Sequence, residues 1–394
     1  MYNELSCIID QSPFYLFNKD KFIKNVDELN AAFKKIYNNF QLAYSFKTNY
    51  ATCICQTAKE CGMYAEVVSP LELMHAVNLG FKNIIYNGVC KDEESLRYSV
   101  EHGVIINIDS LTDFNKLVSV IGNKKPKIGL RMNINIGNEL NSRFGIVPYS
   151  HDYFEIMEKS NKLGIKISGI HCHVSEARDI NFWVRRCDRM FEVTSEFKNL
   201  EYIDMGSNLY SKMVDDLRAQ FGKYIPSYED YADVIARRFK EKFADERVKL
   251  ILETGTPVVS DTVDVVAKVV DIKEINGEKF AILNVCKFDV GTICIYRDAP
   301  IEVFNRTVGK KDYGVYKLTG YTCIEGDVLK ESYEGRLSIG DVVIFKNAGS
   351  YSVSAERNFI LTTIGMLQYS ENTKPQYKVV KRRGSYNDVF DLFV

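Results

Sequence analysis

Over its first two thirds the chain alternates short runs of β-branched and aromatic residues with stretches of helical periodicity. In KFIKNVDELNAAFKKIY, the residues Phe22, Val26, Leu29, Phe33 and Ile36 recur at the spacing of one helical face, which predicts an amphipathic helix. Eight runs read as strands: LAYSFK (42–47), MYAEVV (63–68), NIIYNG (83–88), VIINID (104–109), KIGLRMNI (127–134), KISGIHCHV (166–174), LEYIDMG (200–206) and VKLILETG (248–255). Helical patterns separate most of them. SYEDYADVIARRFKEKF opens on Ser227-x-x-Asp230, a capping-box spacing, ahead of apolar Tyr231, Val234, Ile235 and Phe239. Strands that alternate with helices build parallel βαβ units, and this many units predict a closed (β/α)8 barrel.

The pattern changes after about residue 256. TVDVVAKVVDIKEINGEKFAILNV reads as two strands joined across Asn276-Gly277, a hairpin turn signal, and RLSIGDVVIFKNAGSYS is also strand-rich. The expected layout is an α/β barrel over residues 19–260 and a mainly-β domain over 261–394. FYLFN (14–18), within an N-terminal strand segment 1–18, is expected to join that second domain.

Composition narrows the class. The 394 residues carry 51 Lys and Arg against 52 Asp and Glu, a formal charge of −1, with the signs mixed along the chain. That balance argues against nucleic acid or an anionic membrane as partner. The opening MYNELSCIIDQSPF lacks a basic start followed by an apolar core, and no apolar run approaches transmembrane length. Ten cysteines occur without a framework spacing, which suits reduced thiols. The expectation is a soluble cytoplasmic protein.

Polar residues collect where the predicted barrel strands end. Lys47, Glu66, Asn87, Asp109, His173, Gly206 and Glu253 all fall at C-terminal strand ends, the barrel face that carries chemistry. A lysine that can lose its proton in a partly desolvated site suits a Schiff base with an aldehyde cofactor. Pyridoxal phosphate needs that lysine, a carboxylate against its pyridine nitrogen and donors for its phosphate. Glu253 can supply the carboxylate, and Asp204-Met205-Gly206-Ser207-Asn208 can offer backbone N–H groups. A rival is a zinc site at His171-Cys172-His173, whose two histidines share a strand face. It lacks further ligands, because His75, His102 and His151 fall away from strand ends, so no metal is expected.

As an ordered set, the motifs resemble the fold type III pyridoxal-phosphate-dependent decarboxylases, the ornithine/diaminopimelate decarboxylase family. AYSFKTN is similar to its lysine motif, and AEVVSPLEL to the acidic segment after the second strand, with Glu66 in place of aspartate. LRMNIN carries the fifth-strand arginine, Arg131; GIHCHV carries the histidine, His173; GYTCIEGD carries the cysteine, Cys323; and NAGSYSVS carries the late tyrosine, Tyr351. The resemblance implies an aldimine on Lys47, His173 stacked on the cofactor, Tyr351 at its phosphate, and Cys323 lent to a partner subunit. It therefore implies a homodimer with shared sites. It also implies decarboxylation through a quinonoid intermediate, with Glu253 holding the ring nitrogen protonated and Lys47 or Cys323 returning a proton to Cα.

Several positions depart from that family. Its three-glycine phosphate loop is Gly206-Ser207-Asn208 here, and its Glu-Pro-Gly-Arg is Glu253-Thr254-Gly255-Thr256, so a cationic phosphate ligand is missing. Glu176 replaces a small polar residue after the histidine. Ile324 follows Cys323 where an acid contacts the substrate's distal ammonium, and Arg297 stands in IYRDAP where ornithine enzymes have an aspartate. An isoleucine cannot pair with an ammonium, whereas an arginine suits a carboxylate. Cys323-Ile324 ahead of Gly326-Asp327, Tyr296-Arg297 before a proline, and Glu176 are also similar to carboxynorspermidine decarboxylases. Tyr296, Arg297, Glu176, Ile324 and Asp327 are therefore the expected substrate-side residues. The expected substrate is an amino acid with a second polar group, a carboxylate among the options. The alternatives are an amino-acid racemase and a catalytically silent homologue that regulates a partner or holds the cofactor.

Overall fold

The computed structural model describes residue 8 and residues 11–137, 141–175, 177–197, 199–305 and 313–393. Its first strand, β1 (Phe14–Asn18), is followed by the helix Lys19–Lys34, whose buried face includes Phe22, Val26, Leu29 and Phe33 as the periodicity predicts. Asn18 caps that helix by accepting the Lys21 N–H.

Eight parallel strands then close a barrel: β2 (Phe40–Ser45), β3 (Tyr64–Val67), β4 (Ile84–Tyr86), β5 (Ile105–Ile108), β6 (Ile128–Arg131), β7 (Ile167–His171), β8 (Tyr202–Asp204) and β9 (Lys249–Thr254). Each ends before its predicted run does: Lys47 and His173 lie two residues beyond β2 and β7, whereas Glu66 and Glu253 stay within β3 and β9. The helix Tyr228–Lys242 carries the predicted capping box in full, with Ser227 and Asp230 bonding each other's backbone N–H.

The barrel centre is partly polar. Tyr202 donates to Asn107 at 2.9 Å, and Asn107 donates to Asn87 at 2.7 Å. Gly129 and Gly169 make room for this chain, since a Cβ at Gly169 would lie 2.1 Å from the Tyr202 ring. Buried amides this well paired hold a fixed geometry, because any break leaves an unsatisfied group away from water.

The second layer is a mainly-β unit. β10 (Val263–Ile275) and β11 (Glu278–Leu283) form the predicted hairpin, with Asn276 at φ 53° and Gly277 at φ 83° in the turn. β12 (Ile301–Phe304), β13 (Tyr313–Thr319), β14 (Val328–Arg336), β15 (Val342–Phe345), β16 (Gly365–Tyr369) and β17 (Tyr377–Lys381) complete the sheet. β1 enters it from the other end of the chain, antiparallel to β10 and parallel to β16. Phe22 then ties the two layers, edge-on to Phe17 of β1 and to Tyr44 of β2 at 6.0 and 5.7 Å. No described helix is long and apolar enough to cross a membrane, and every described cysteine is free.

Candidate active site

Lys47 lies in a single 3-10 turn, Phe46–Thr48, where the chain leaves β2 at the barrel mouth. Its ammonium sits 2.5 Å from a Glu66 carboxylate oxygen, and about a third of its side chain (34%) stays open to the cavity above. Burial works against this charge, but Glu66, Glu253 and Tyr351 outweigh it and hold the ammonium above its ordinary range. Glu66 and Glu253 are joined through Asn87, whose amide donates to one oxygen of each.

Glu253 is 4% exposed and approaches His171 Nε2 at 3.4 Å. Burial alone would raise its carboxyl; His171, a hydrogen bond to Asp204, and Lys47 reverse that and hold it well below the usual carboxylate range. Asp204 moves the other way, pushed up by burial and by Glu253, while its Oδ1 accepts the Gly206 N–H at 2.9 Å. The two carboxyls titrate as one coupled pair, with Asp204 favoured toward its neutral form and Glu253 toward its charged form. His171, Asp204 and Glu253 have ligand atoms within 4.8 Å of one another, a spacing that could also hold a metal ion. Of the two histidines weighed as a rival metal pair, His171 ends β7 beside Glu253, and His173 lines the cavity with Lys47.

His173 Nδ1 accepts the Ser207 N–H at 3.4 Å, which suits a neutral ring. Burial, then Lys47 and Arg186, push its pKa well below the ordinary value. The Gly206–Asn208 loop packs so tightly under it that a Cβ on Gly206 would meet the Cys172 carbonyl at 2.6 Å, at φ 60°. Arg186, fully buried on the helix Ile180–Val193, binds the carbonyls of Val174, Ala177, Met205 and Ser207 and so braces both loops at once.

Tyr351 reaches the mouth from the β-rich layer. Its N–H donates to the Thr48 carbonyl at 2.8 Å, and Asn49 donates to Gly349 at 3.0 Å. Lys47, His173, Ser207, Asn208, Glu253, Gly255, Thr256 and Tyr351 thus border one cavity of about 240 Å³. Tyr296 and Arg297 line an adjoining cavity of about 610 Å³, which shares Thr256 and Tyr351 with the first. Arg131 pairs with Asp109 at 3.0 Å and stacks on Phe144.

Three predicted residues lie elsewhere in the chain. Cys323 and Ile324 are exposed on the turn after β13 and line neither cavity. Asp327 is buried, and its carboxylate organises that turn by accepting from the Lys287 and Thr322 N–H groups and the Thr322 hydroxyl. Glu176 lies outside the described residues. Arg178, Arg186 and Thr48 join the site without having stood out in the sequence, and Asp204, read there only as part of the phosphate loop's backbone, brings its carboxyl to Glu253. Arg178 was visible as a charge in the loop after a barrel strand, whereas Arg186 looks like an ordinary residue of an amphipathic helix.

The residues fit pyridoxal phosphate. The Ser207 hydroxyl is buried with no partner among the described residues, and Gly255 lies so close to Thr48 that a Cβ would fall 2.0 Å from its Oγ1. An orphan donor, two close-packed glycines, a lysine and an ionised glutamate are the parts such a cofactor requires. Residues 23–260 match the family model for the pyridoxal binding domain of pyridoxal-dependent decarboxylases. The chain belongs to the pyridoxal-dependent decarboxylase family. A diaminopimelate decarboxylase from Methanocaldococcus jannaschii is 24% identical over 96% of this chain and 90% of its own length. Among solved structures, the Helicobacter pylori diaminopimelate decarboxylase complexed with L-lysine is 18% identical, with a TM-score of 0.86 over 100% of this chain and 99% of that one. The Paramecium bursaria Chlorella virus arginine decarboxylase bound to agmatine is 20% identical, with a TM-score of 0.75 over 91% and 97%. At such identities the structural likeness carries the fold that this decarboxylase shares with enzymes of differing specificity.

Proposed function

We propose that this decarboxylase removes the α-carboxylate of a diamino acid whose far end carries a further polar group, with diaminopimelate as the leading candidate. The observation that carries the proposal is Lys47 set between Glu66 and the Glu253–Asp204 pair, below His173 and beside Tyr351. When bound, pyridoxal phosphate supplies a conjugated electron sink for the pair released as carbon dioxide leaves. Lys47 is the group that bonds the aldehyde and, once displaced, is placed to move a proton at Cα. Ionised Glu253 is the partner that keeps a ring nitrogen protonated, and the neutral His173 ring is a flat apolar face for stacking. Ser207, Asn208, Thr256 and Tyr351 are proposed around the phosphate, with Glu66 and Arg131 supporting the mouth.

For the far end of the substrate, Arg297 and Tyr296 face the adjoining cavity, and the guanidinium is 4.5 Å from the Phe221 ring. A carboxylate there would meet a cation that lysine or ornithine could not use. Relatives named diaminopimelate decarboxylase support this choice. Cys323 lines neither cavity of its own chain, which supports a homodimer in which it serves the partner's site. The free cysteines support a cytoplasmic setting.

The test is carbon dioxide release from a panel of diaminopimelate, carboxynorspermidine, lysine, ornithine and arginine. Release from diaminopimelate in preference to lysine supports the proposal; release from lysine or ornithine alone overturns its substrate. Mixing Lys47→Ala with Cys323→Ala chains tests the shared site. Hybrid dimers that regain activity absent from either parent support it, and a monomeric active enzyme removes it.

A further inference from the structure

Two cations line the cavity described above, Lys47 and Arg178, and they are held differently. Lys47 is paired with Glu66. Arg178 has no carboxylate at ion-pair distance among the described residues, and the adjacent Asp179 is engaged by Lys223 at 3.1 Å. Its Nε donates to Asn208 Oδ1 at 2.9 Å, and its own carbonyl accepts the Tyr231 hydroxyl at 2.7 Å. Its guanidinium also rests 5.4 Å from the centre of the Tyr210 ring. The backbone and the Nε are thus fixed, while neither terminal amino group has a hydrogen-bond partner among the described residues.

Arg178 borders both cavities and so stands where they meet. Ser207, whose hydroxyl has no partner among the described residues, lines the same cavity next to Asn208, the residue that accepts from Arg178. Lys223 and Arg297 border the larger cavity and not the smaller one, Lys223 paired with Asp179 and Arg297 lying over the Phe221 ring. A guanidinium whose two terminal nitrogens have no partner among the described residues, together with a hydroxyl that has none among them either, matches a phosphate in charge and in geometry.

We propose that Arg178 is the cationic ligand of the cofactor's phosphate, oriented by Asn208 and acting with Ser207. The inference rests on the pyridoxal-phosphate assignment of the cavity. It gives the dianion a counter-charge from the loop after β7, in a wall where Thr256 offers a hydroxyl without charge.

The experiment titrates apoprotein with pyridoxal phosphate and, separately, with pyridoxal, which has the same aldehyde and no phosphate, following the visible absorbance of the bound aldehyde. Arg178→Ala should weaken pyridoxal phosphate by about 10- to 100-fold and leave pyridoxal unchanged, the loss expected of a charge-assisted hydrogen bond. Arg178→Gln, which can keep a bond to Asn208, should show the same selective loss and serves if the alanine variant does not fold. Unaltered pyridoxal phosphate affinity, or an equal fall for both ligands, overturns the proposal. A wild type that develops no band with either ligand overturns the cofactor assignment itself, an outcome distinct from a variant that binds as well as wild type.

Discussion

Asp204 and Glu253 are two buried carboxyls with oxygens within 4.8 Å of each other, and their surroundings push their proton affinities in opposite directions. Asp204 is fully buried, and Glu253 adds its charge to that burial. Glu253 draws on His171, Asp204 and Lys47. The neutral form of one acid favours the charged form of the other. Asp204→Asn retains a donor toward Glu253 and should keep most activity. Asp204→Ala removes it and should lower kcat by about 10-fold or more, since a charged hydrogen bond of this kind contributes about 1.5–3 kcal/mol. The comparison of kcat and of the pH profile for the two variants checks this, and equal losses would count against it.

Lys47 depends on Glu66 for its charge. Burial favours the neutral amine and Glu66 is the largest opposing influence, so Glu66→Gln should let Lys47 lose its proton at lower pH, by about one unit or more. The rate at which apoprotein bonds pyridoxal, followed against pH, should shift downward accordingly. A profile that stays in place would show that Glu66 does not set the lysine's protonation.

His173 gives a pH dependence with a definite sign. Its folded pKa lies well below the ordinary 6.5, so above 6.5 it is neutral in both states and contributes nothing. Below 6.5 the unfolded chain takes up a proton that the folded one refuses, and stability falls as pH drops. The slope approaches about 1.4 kcal/mol per pH unit for one histidine. Urea unfolding of the wild type and of His173→Phe, from neutrality to about pH 5, should show the variant losing less. Parallel curves would mean His173 is protonated in the folded protein.

Gly255 stands against Thr48, the residue after Lys47, whose carbonyl also anchors Tyr351 and Ser354. A Cβ there must displace a buried threonine rather than a flexible chain end. Gly255→Ala should cost about 1–3 kcal/mol of stability, as overpacking does, and should also weaken pyridoxal phosphate binding. Unfolding midpoints and cofactor titration together test both effects.

Much of this was legible in the sequence because it is local. The eight barrel strands, the helix behind Ser227 and the Asn276-Gly277 hairpin follow from periodicity and turn chemistry, which act over a few residues. Lys47, His173 and Glu253 could be placed because a parallel barrel sends every strand's C-terminal end to one face. Tertiary structure alone decided which of those groups touch. That Asp204 is pushed toward its neutral form depends in part on Glu253, which arrives on the neighbouring strand β9 only after two intervening helices. That Arg186 binds four carbonyls depends on two loops meeting beneath its helix, and Asp327, expected at the substrate, turned inward to hold its own turn. Tyr351 reaches Thr48 across the boundary between two layers. Pattern fixes an element and the face it presents. Charge, protonation and hydrogen-bond partnership depend on distances of a few ångströms between residues far apart in the chain, and these exist only once the barrel has closed.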